Sequence, residues 1–216
     1  MPEIHLQARN LSCSYGEFQA LKPIDLALHA GELVVLAGPN GSGKTTLLAC
    51  LSGLLRPTTG EVSLEGFDLY RDERQALPRL AFVPDVPVFY PELTAWEHLR
   101  VIALAHRVSE GFEARARELL GEFGLWEARH LFPHAYSRGM RLKLALALAL
   151  IRPFSVLLLD EPTSALDIES TAILYEKLLA LSTAQTAILL TTHDPHLAGQ
   201  LHAKTWSIHA GILSIR

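Results

Sequence analysis

Apolar residues follow three different rhythms along the chain. Short runs alternate with polar positions in Ile4-His5-Leu6, Ile24-Asp25-Leu26-Ala27-Leu28 and Val62-Ser63-Leu64, with Gly31, Gly60 and Gly66 between or after them. Period-two alternation punctuated by glycine predicts antiparallel strands. Leu33-Val34-Val35-Leu36-Ala37 is continuous instead, and so are Val156-Leu157-Leu158-Leu159 and Ala187-Ile188-Leu189-Leu190. Such runs predict strands buried on both faces. The third rhythm is helical. It covers 45–55, ending before Pro57, then much of 94–126, and 170–181. Thr94 with Glu97 three residues on forms a capping box, and 113–123 sets Leu119, Leu120 and Phe123 opposite its charges. Trp206-Ser207-Ile208 and Ile212-Leu213-Ser214-Ile215 flank Ala210-Gly211 and predict a closing hairpin.

One stretch reads two ways. Leu142, Leu144, Leu146, Leu148 and Leu150 alternate with Lys and Ala at strand period. Leu and Ala are strong helix formers and no β-branched residue interrupts them, so a helix buried nearly all round is expected. Buried strands alternating with helices predict an α/β fold with a mostly parallel sheet covered on both faces. The boundaries expected within a single domain over 1–216 are a core at 1–85 and 145–216 and a helical insertion at 86–144.

Composition narrows the classes. With 49% hydrophobic residues and a formal net charge of −4, the 216-residue chain is not a disordered tail. Two cysteines among 14 glycines and 12 prolines exclude disulfide-framework and collagen-like proteins. Cys13 and Cys50 form no CxxC pattern and read as reduced thiols. The acidic balance argues against nucleic acid as the main partner. No run approaches the roughly 18 apolar residues of a membrane helix, and the first residues lack a basic region followed by an apolar block. A cytoplasmic protein that meets a membrane only through a partner is expected.

The chemistry concentrates at two strand ends. Gly38-Pro39-Asn40-Gly41-Ser42-Gly43-Lys44-Thr45 fits G-x-x-x-x-G-K-[ST] between a buried strand and a helix, the context of a P-loop. Glycines let the loop curl its N–H groups toward phosphate oxygens, and the helix N-terminus adds a positive dipole end. Lys44 reaches β- and γ-phosphates, Thr45 ligates Mg²⁺, and Thr46 follows in the same turn. Asp160 ends a buried strand, where a carboxylate holds Mg²⁺. Glu161 comes next and is the candidate general base.

With these motifs the chain resembles the ATP-binding subunits of ABC (ATP-binding cassette) transporters over nearly all its length. Tyr136-Ser137-Arg138-Gly139-Met140 aligns with the family signature LSGGQ, Ser164-Ala165-Leu166-Asp167 with the D-loop and His193 with the switch histidine. Tyr15, beside Gly16, fits the aromatic that stacks on adenine. The resemblance implies a P-loop NTPase with a RecA-like core, an N-terminal antiparallel β-subdomain and an inserted α-helical subdomain. It implies ATP and Mg²⁺ as ligands, with ATP between the P-loop of one subunit and Ser137 and Gly139 of the other, and Asp167 as a further nucleotide-binding residue. Three residues, in two motifs, depart from the family pattern. Asp85 stands where a Q-loop glutamine is expected, and Arg138 and Met140 replace Gly and Gln of the signature. Asp85 is a third metal candidate, and unlike an amide it cannot donate a hydrogen bond when ionised. Both variants are similar to those of bacterial exporters of the ABC-2 and multidrug type.

The implied function is ATP hydrolysis that powers transport, the implied partners being a membrane-spanning subunit and a second nucleotide-binding subunit, identical or not. Pro84-Asp85-Val86-Pro87 and the helical lobe would carry motion to the membrane partner. Importers often carry a C-terminal regulatory extension, and a closing hairpin ends this sequence. Two alternatives stand beside this reading: a non-transport ABC ATPase acting on a soluble macromolecule, and another P-loop enzyme such as a small-molecule kinase. The first usually brings tandem cassettes, zinc modules or coiled coils, and the second leaves 136–140 and Asp167 unexplained. His130 with His134, and His193 with His196, have metal-like spacing interrupted by Pro133 and Pro195, so no zinc site is expected. Lys143 reads as a solvated face, and Trp96, Trp126 and Trp206 as packing.

Overall fold

The computed structural model describes residues 3–193 and 197–215. It divides into two compact units, one built from 1–82, 154–161 and 178–216, the other from 83–153 and 162–177.

The first unit carries two sheets. Strands β1 (Ile4–Tyr15), β2 (Phe18–His29), β4 (Thr59–Leu64) and β5 (Phe67–Asp68) form one, in the order β2-β1-β4-β5. All of its pairings are antiparallel, as the alternating pattern predicts. The other sheet has six strands in the order β10-β9-β3-β8-β7-β6. These are β3 (Leu33–Ala37), β6 (Leu80–Val83), β7 (Val156–Leu159), β8 (Ala187–Thr191), β9 (Lys204–His209) and β10 (Ile212–Ile215). The three continuous apolar runs become β3, β7 and β8, adjacent and parallel, with β8 in the middle of the three. β9 joins β3 in parallel and β10 returns antiparallel around Ala210-Gly211. Helix α1 (Lys44–Leu51) follows β3, and the short α2 (Glu73–Ala76) precedes β6. The core of this unit joins Leu6, Leu28 and Leu64 of the antiparallel sheet to Leu47 and Leu51 of α1 and to Leu36, Leu158, Leu189 and Trp206. Cys13 and Cys50 both lie in it as thiols. Burial, then the neighbouring Cys13, pushes Cys50 up to about 12, so it carries no thiolate at neutral pH.

The second unit is helical. α3 (Ala95–Ala105), α4 (Phe112–Glu122) and α5 (Arg138–Leu150) pack against one another. Thr94 caps α3 in the expected box, its hydroxyl accepting from the Glu97 N–H while Glu97 accepts from the Thr94 N–H. A Thr cap contributes about 1 kcal/mol. The helical stretch expected over 94–126 breaks at Arg107 and Gly111, both at positive φ, which turns the chain between α3 and α4. The alternating leucines resolve as α5, buried at Leu142, Leu144, Leu146 and Leu150 and also at Ala145, Ala147 and Ala149. Arg115 donates to the Leu150 carbonyl at 2.7 Å, satisfying one of the acceptors left open at the end of α5. Trp96 and Trp126 meet edge to face at 6.0 Å, and the Arg129 guanidinium lies 4.0 Å over the Trp126 ring. These aromatics pack the lobe.

Helix α6 (Ile168–Thr183) begins in the second unit and ends in the first. The first unit also holds the short α7 (Leu197–Gln200). Two helices differ in length from expectation. α1 stops at Leu51 because Ser52 caps it and Gly53 follows at φ 79°, while α6 outruns 170–181 at both ends. No helix among the described residues is long and apolar enough to cross a membrane.

Candidate functional site

The parallel register of the first unit brings its chemistry to one edge. Leu36 pairs with Thr191 and Leu159 with Leu190, so the carboxyl ends of β3, β7 and β8 lie side by side. Open α/β sheets bind ligands at that edge. The segment 38–43 leaves β3 there and enters α1. Gly43 stands at the helix N-cap with φ 109°, a conformation L side chains rarely adopt, and a Cβ on it would lie 2.8 Å from Leu21. α1 has no side-chain cap and no acidic residue in its first turn, so the N–H groups there have no built-in anion. The Lys44 ammonium curls back over the loop, donating to the Gly38 carbonyl at 2.7 Å and to Pro39 at 3.3 Å. Ser42 Oγ is buried with no hydrogen-bond partner among the described residues. An uncapped helix start, a lysine ammonium and an orphaned hydroxyl form a donor set that fits a polyphosphate. Thr45 is exposed one residue further on.

Asp160 and Glu161 follow β7 at the same edge. Thr191 organises both. Its hydroxyl donates to Asp160 Oδ1 at 2.6 Å and accepts from the Glu161 N–H at 2.9 Å. Asp160 and Thr191 are buried, at 2% and 0% exposure. A carboxylate in that position fits a divalent cation together with the Thr45 hydroxyl. Glu161 adopts φ 49°, a left-handed backbone that costs a non-glycine residue about 1–2 kcal/mol. Strain of this kind persists where surrounding contacts over-determine it. His193 Nδ1 lies 2.8 Å from Glu161 Oε1, so the imidazole orients the carboxylate. Tyr15 closes the β1–β2 hairpin opposite Phe18 and is 53% exposed, leaving its ring open for stacking.

Thr191 is the residue that reading the sequence missed. Its hydroxyl matters only because β8 lies beside β7 in this register. Thr191→Val keeps the shape and removes the hydroxyl that serves both Asp160 and the Glu161 N–H. A loss of about 1–3 kcal/mol in stability is expected from denaturant melts.

The second unit gathers the other candidates. Ser137 caps α5, its Oγ accepting from the Met140 N–H at 3.2 Å. Gly139 faces the Ala165 carbonyl so closely that a Cβ would lie 2.6 Å from that oxygen. Asp167 caps α6 by accepting from the Ser170 N–H at 2.8 Å, and its other oxygen accepts from Lys143 at 2.6 Å. The Lys143 ammonium, then Ser170, holds the Asp167 carboxyl far below the usual carboxylate range. Lys143 is therefore not the solvated side chain expected from the sequence; it is 15% exposed and ion-paired. Asp85 Oδ1 accepts from Arg138 at 2.9 Å and from the Ser164 hydroxyl at 2.9 Å. The loop after Asp85 exposes Val86, Val88 and Tyr90. Its end is pinned by the Tyr90 N–H, which donates to His98 Nε2 at 3.0 Å while His98 Nδ1 donates to the Thr94 carbonyl at 2.8 Å. No group of three metal-ligating side chains occurs among the described residues, and His196 of the second histidine pair lies outside them.

Residues 21–164 match the ABC transporter family. The chain is 35% identical to the daunorubicin resistance ATP-binding protein DrrA3 of Streptomyces coeruleorubidus over 91% of its own length and 63% of the relative's. It is 34% identical to the glutamine transport ATP-binding protein GlnQ of Escherichia coli, over 95% of its length and 88% of that protein's. A solved dimeric post-hydrolysis state of an ATP-binding cassette, bound to ADP and Pi, superposes with a TM-score of 0.85 at 28% identity, covering 97% of this chain and 98% of the other. The chain spans 62%, 63% and 64% of the length of three such relatives, two of them daunorubicin resistance ATP-binding proteins. A matched stretch that runs from β2 to the segment after β7, with P-loop, signature and strand-end carboxylates inside it, shows that the chain belongs to the ABC transporter family, as one of its ATP-binding cassettes.

Proposed function

We propose that the chain binds ATP with Mg²⁺, hydrolyses it as one half of a head-to-tail pair of cassettes, and thereby powers a membrane-spanning transporter subunit. The observation that carries the reading is the Glu161 carboxylate, oriented by His193 at 2.8 Å and tied through its backbone to the Thr191–Asp160 pair, at the edge from which the P-loop leaves.

In this reading Lys44 and the N–H groups of 38–46 hold the β- and γ-phosphates, and Tyr15 stacks on adenine. Thr45 and Asp160 hold the Mg²⁺ ion, which when bound neutralises phosphate charge. Glu161 takes the proton of the attacking water as its oxygen bonds to the γ-phosphorus. The bond to the β-phosphate oxygen breaks and ADP leaves with that electron pair. His193 keeps the Glu161 carboxylate aimed through the step. Ser137 Oγ and Gly139 of the paired cassette complete the γ-phosphate shell, with Asp167 beside them at the seam, and the pairing is isologous. Phosphates that contact both cassettes make closure depend on nucleotide by linkage. The exposed apolar loop after Asp85 and the helical lobe are the surface offered to the membrane subunit, which would hold the cassette at the cytoplasmic face. Export is the preferred direction, from the likeness of Asp85 and Arg138 to exporter sequences.

A tagged pull-down from detergent-solubilised membranes, identified by mass spectrometry, tests the transport part. A stoichiometric polytopic membrane protein is the expected result. Recovery with ribosomes, DNA or soluble protein alone would overturn it in favour of a non-transport ABC ATPase.

A further inference from the structure

Asp85 and Arg138 are two of the three departures from the family pattern, and they contact each other. Arg138 Nη2 donates to Asp85 Oδ1 at 2.9 Å and to Ser164 Oγ at 3.2 Å, and the Ser164 hydroxyl donates to the same Asp85 oxygen at 2.9 Å. One carboxylate oxygen thus gathers three segments: the loop after β6, the first turn of α5 and the segment before α6. We propose that Asp85 and Arg138 are a matched positioning pair, through which the Asp85 loop, the signature turn and the D-loop segment act as one body in the ATPase cycle. The inference rests on the reading of the chain as an ABC ATPase and gives Asp85 a role other than metal ligand.

The chemistry of the replacements supports the match. Arginine at the glycine position of the signature introduces a cation, and aspartate at the glutamine position supplies the anion that meets it. Changing either residue alone leaves the other charge without its counter-ion. The side chains are 58% and 36% exposed, so the pair adds little to global stability. Its effect is geometric, because a closed triangle of three partners fixes orientation where a single contact would not. Other contacts extend the fastening. Lys143 holds Asp167 at 2.6 Å, and Gly139 admits the Ala165 carbonyl against its backbone. The segment 164–167 is therefore joined to α5 at Ser164, Ala165 and Asp167. The Asp85 loop, joined to the same cluster at one end, is held at the other by His98. Asp85 and Arg138 are positioning residues: they touch neither phosphate nor water in the proposed mechanism.

The test restores the family residues singly and together. Phosphate release and amide hydrogen exchange over 162–167 are measured for wild type, Asp85→Gln, Arg138→Gly and the double variant. Each single change is expected to lower kcat about three- to tenfold, leave the KM for ATP within about twofold, and speed exchange at 164–167. The double variant is expected to return both readouts to within about twofold of wild type. Additive losses, or single variants indistinguishable from wild type, would overturn the pairing. So would a changed Mg²⁺ requirement in Asp85→Gln that is the same whether residue 138 is Arg or Gly, since that is the behaviour of a metal ligand. If the wild type itself releases no phosphate, the ATPase reading fails. The exchange rates then decide the pairing alone: faster in both single variants and restored in the double supports it, and any other pattern refutes it.

Discussion

Glu161→Gln is expected to lower phosphate release about a hundredfold or more, while ATP binding stays within a few-fold of wild type. Glutamine keeps the size and an acceptor oxygen for His193, so the contact at 2.8 Å survives in form. What it lacks is a group that accepts a proton from water at neutral pH. The Glu161 N–H still donates to Thr191, so Asp160 keeps its donor and its orientation. The substitution therefore separates chemistry from binding. Single-turnover phosphate release, run beside nucleotide titration, reads the two apart. A wild-type rate in Glu161→Gln would remove Glu161 as the base.

Lys44→Ala is expected to act on binding itself. The ammonium is the one cationic side chain in the loop, and hydrogen bonds to charged groups contribute about 1.5–3 kcal/mol each. An affinity loss of about ten- to a hundredfold for ATP follows. The loop also loses its brace, because Gly38 and Pro39 share that ammonium as donor. Arginine does not substitute, since its planar fork does not reproduce a compact ammonium folded over the loop. The check is calorimetric titration with ATP, with melting temperature as a second readout. Ligand that binds only the folded state raises the melting temperature, so at one ATP concentration Lys44→Ala shifts less than wild type. Equal affinities would contradict the assignment of Lys44.

Much of this site is written in short stretches of sequence, and the remainder depends on tertiary register. The P-loop is legible because strand, glycines, lysine and helix follow one another within a dozen residues. β3, β7 and β8 are legible because strands buried on both faces leave no polar alternation. α5 was settled by composition over period: its leucines alternate like a strand, yet alanine and leucine fold it as a helix buried on nearly every side. The contacts that organise the site were not legible. Thr191 meets Asp160 across 31 residues because Leu159 pairs with Leu190. Lys143 meets Asp167 across 24 residues, and Arg138 meets Asp85 across 53. No local pattern encodes such partners, since side chains that read as solvated acquire them only when α5 and α6 are in place. The break between α3 and α4 has a local cause, at Arg107 and Gly111, but the helical periodicity on either side masks it.

The most direct test of the account is steady-state phosphate release from Mg-ATP by the purified chain. It is measured over a range of protein concentrations, with Glu161→Gln as the blank. Release well above the blank is expected, with a specific rate that rises with protein concentration as cassettes pair. Release no faster than the blank at every concentration would contradict it.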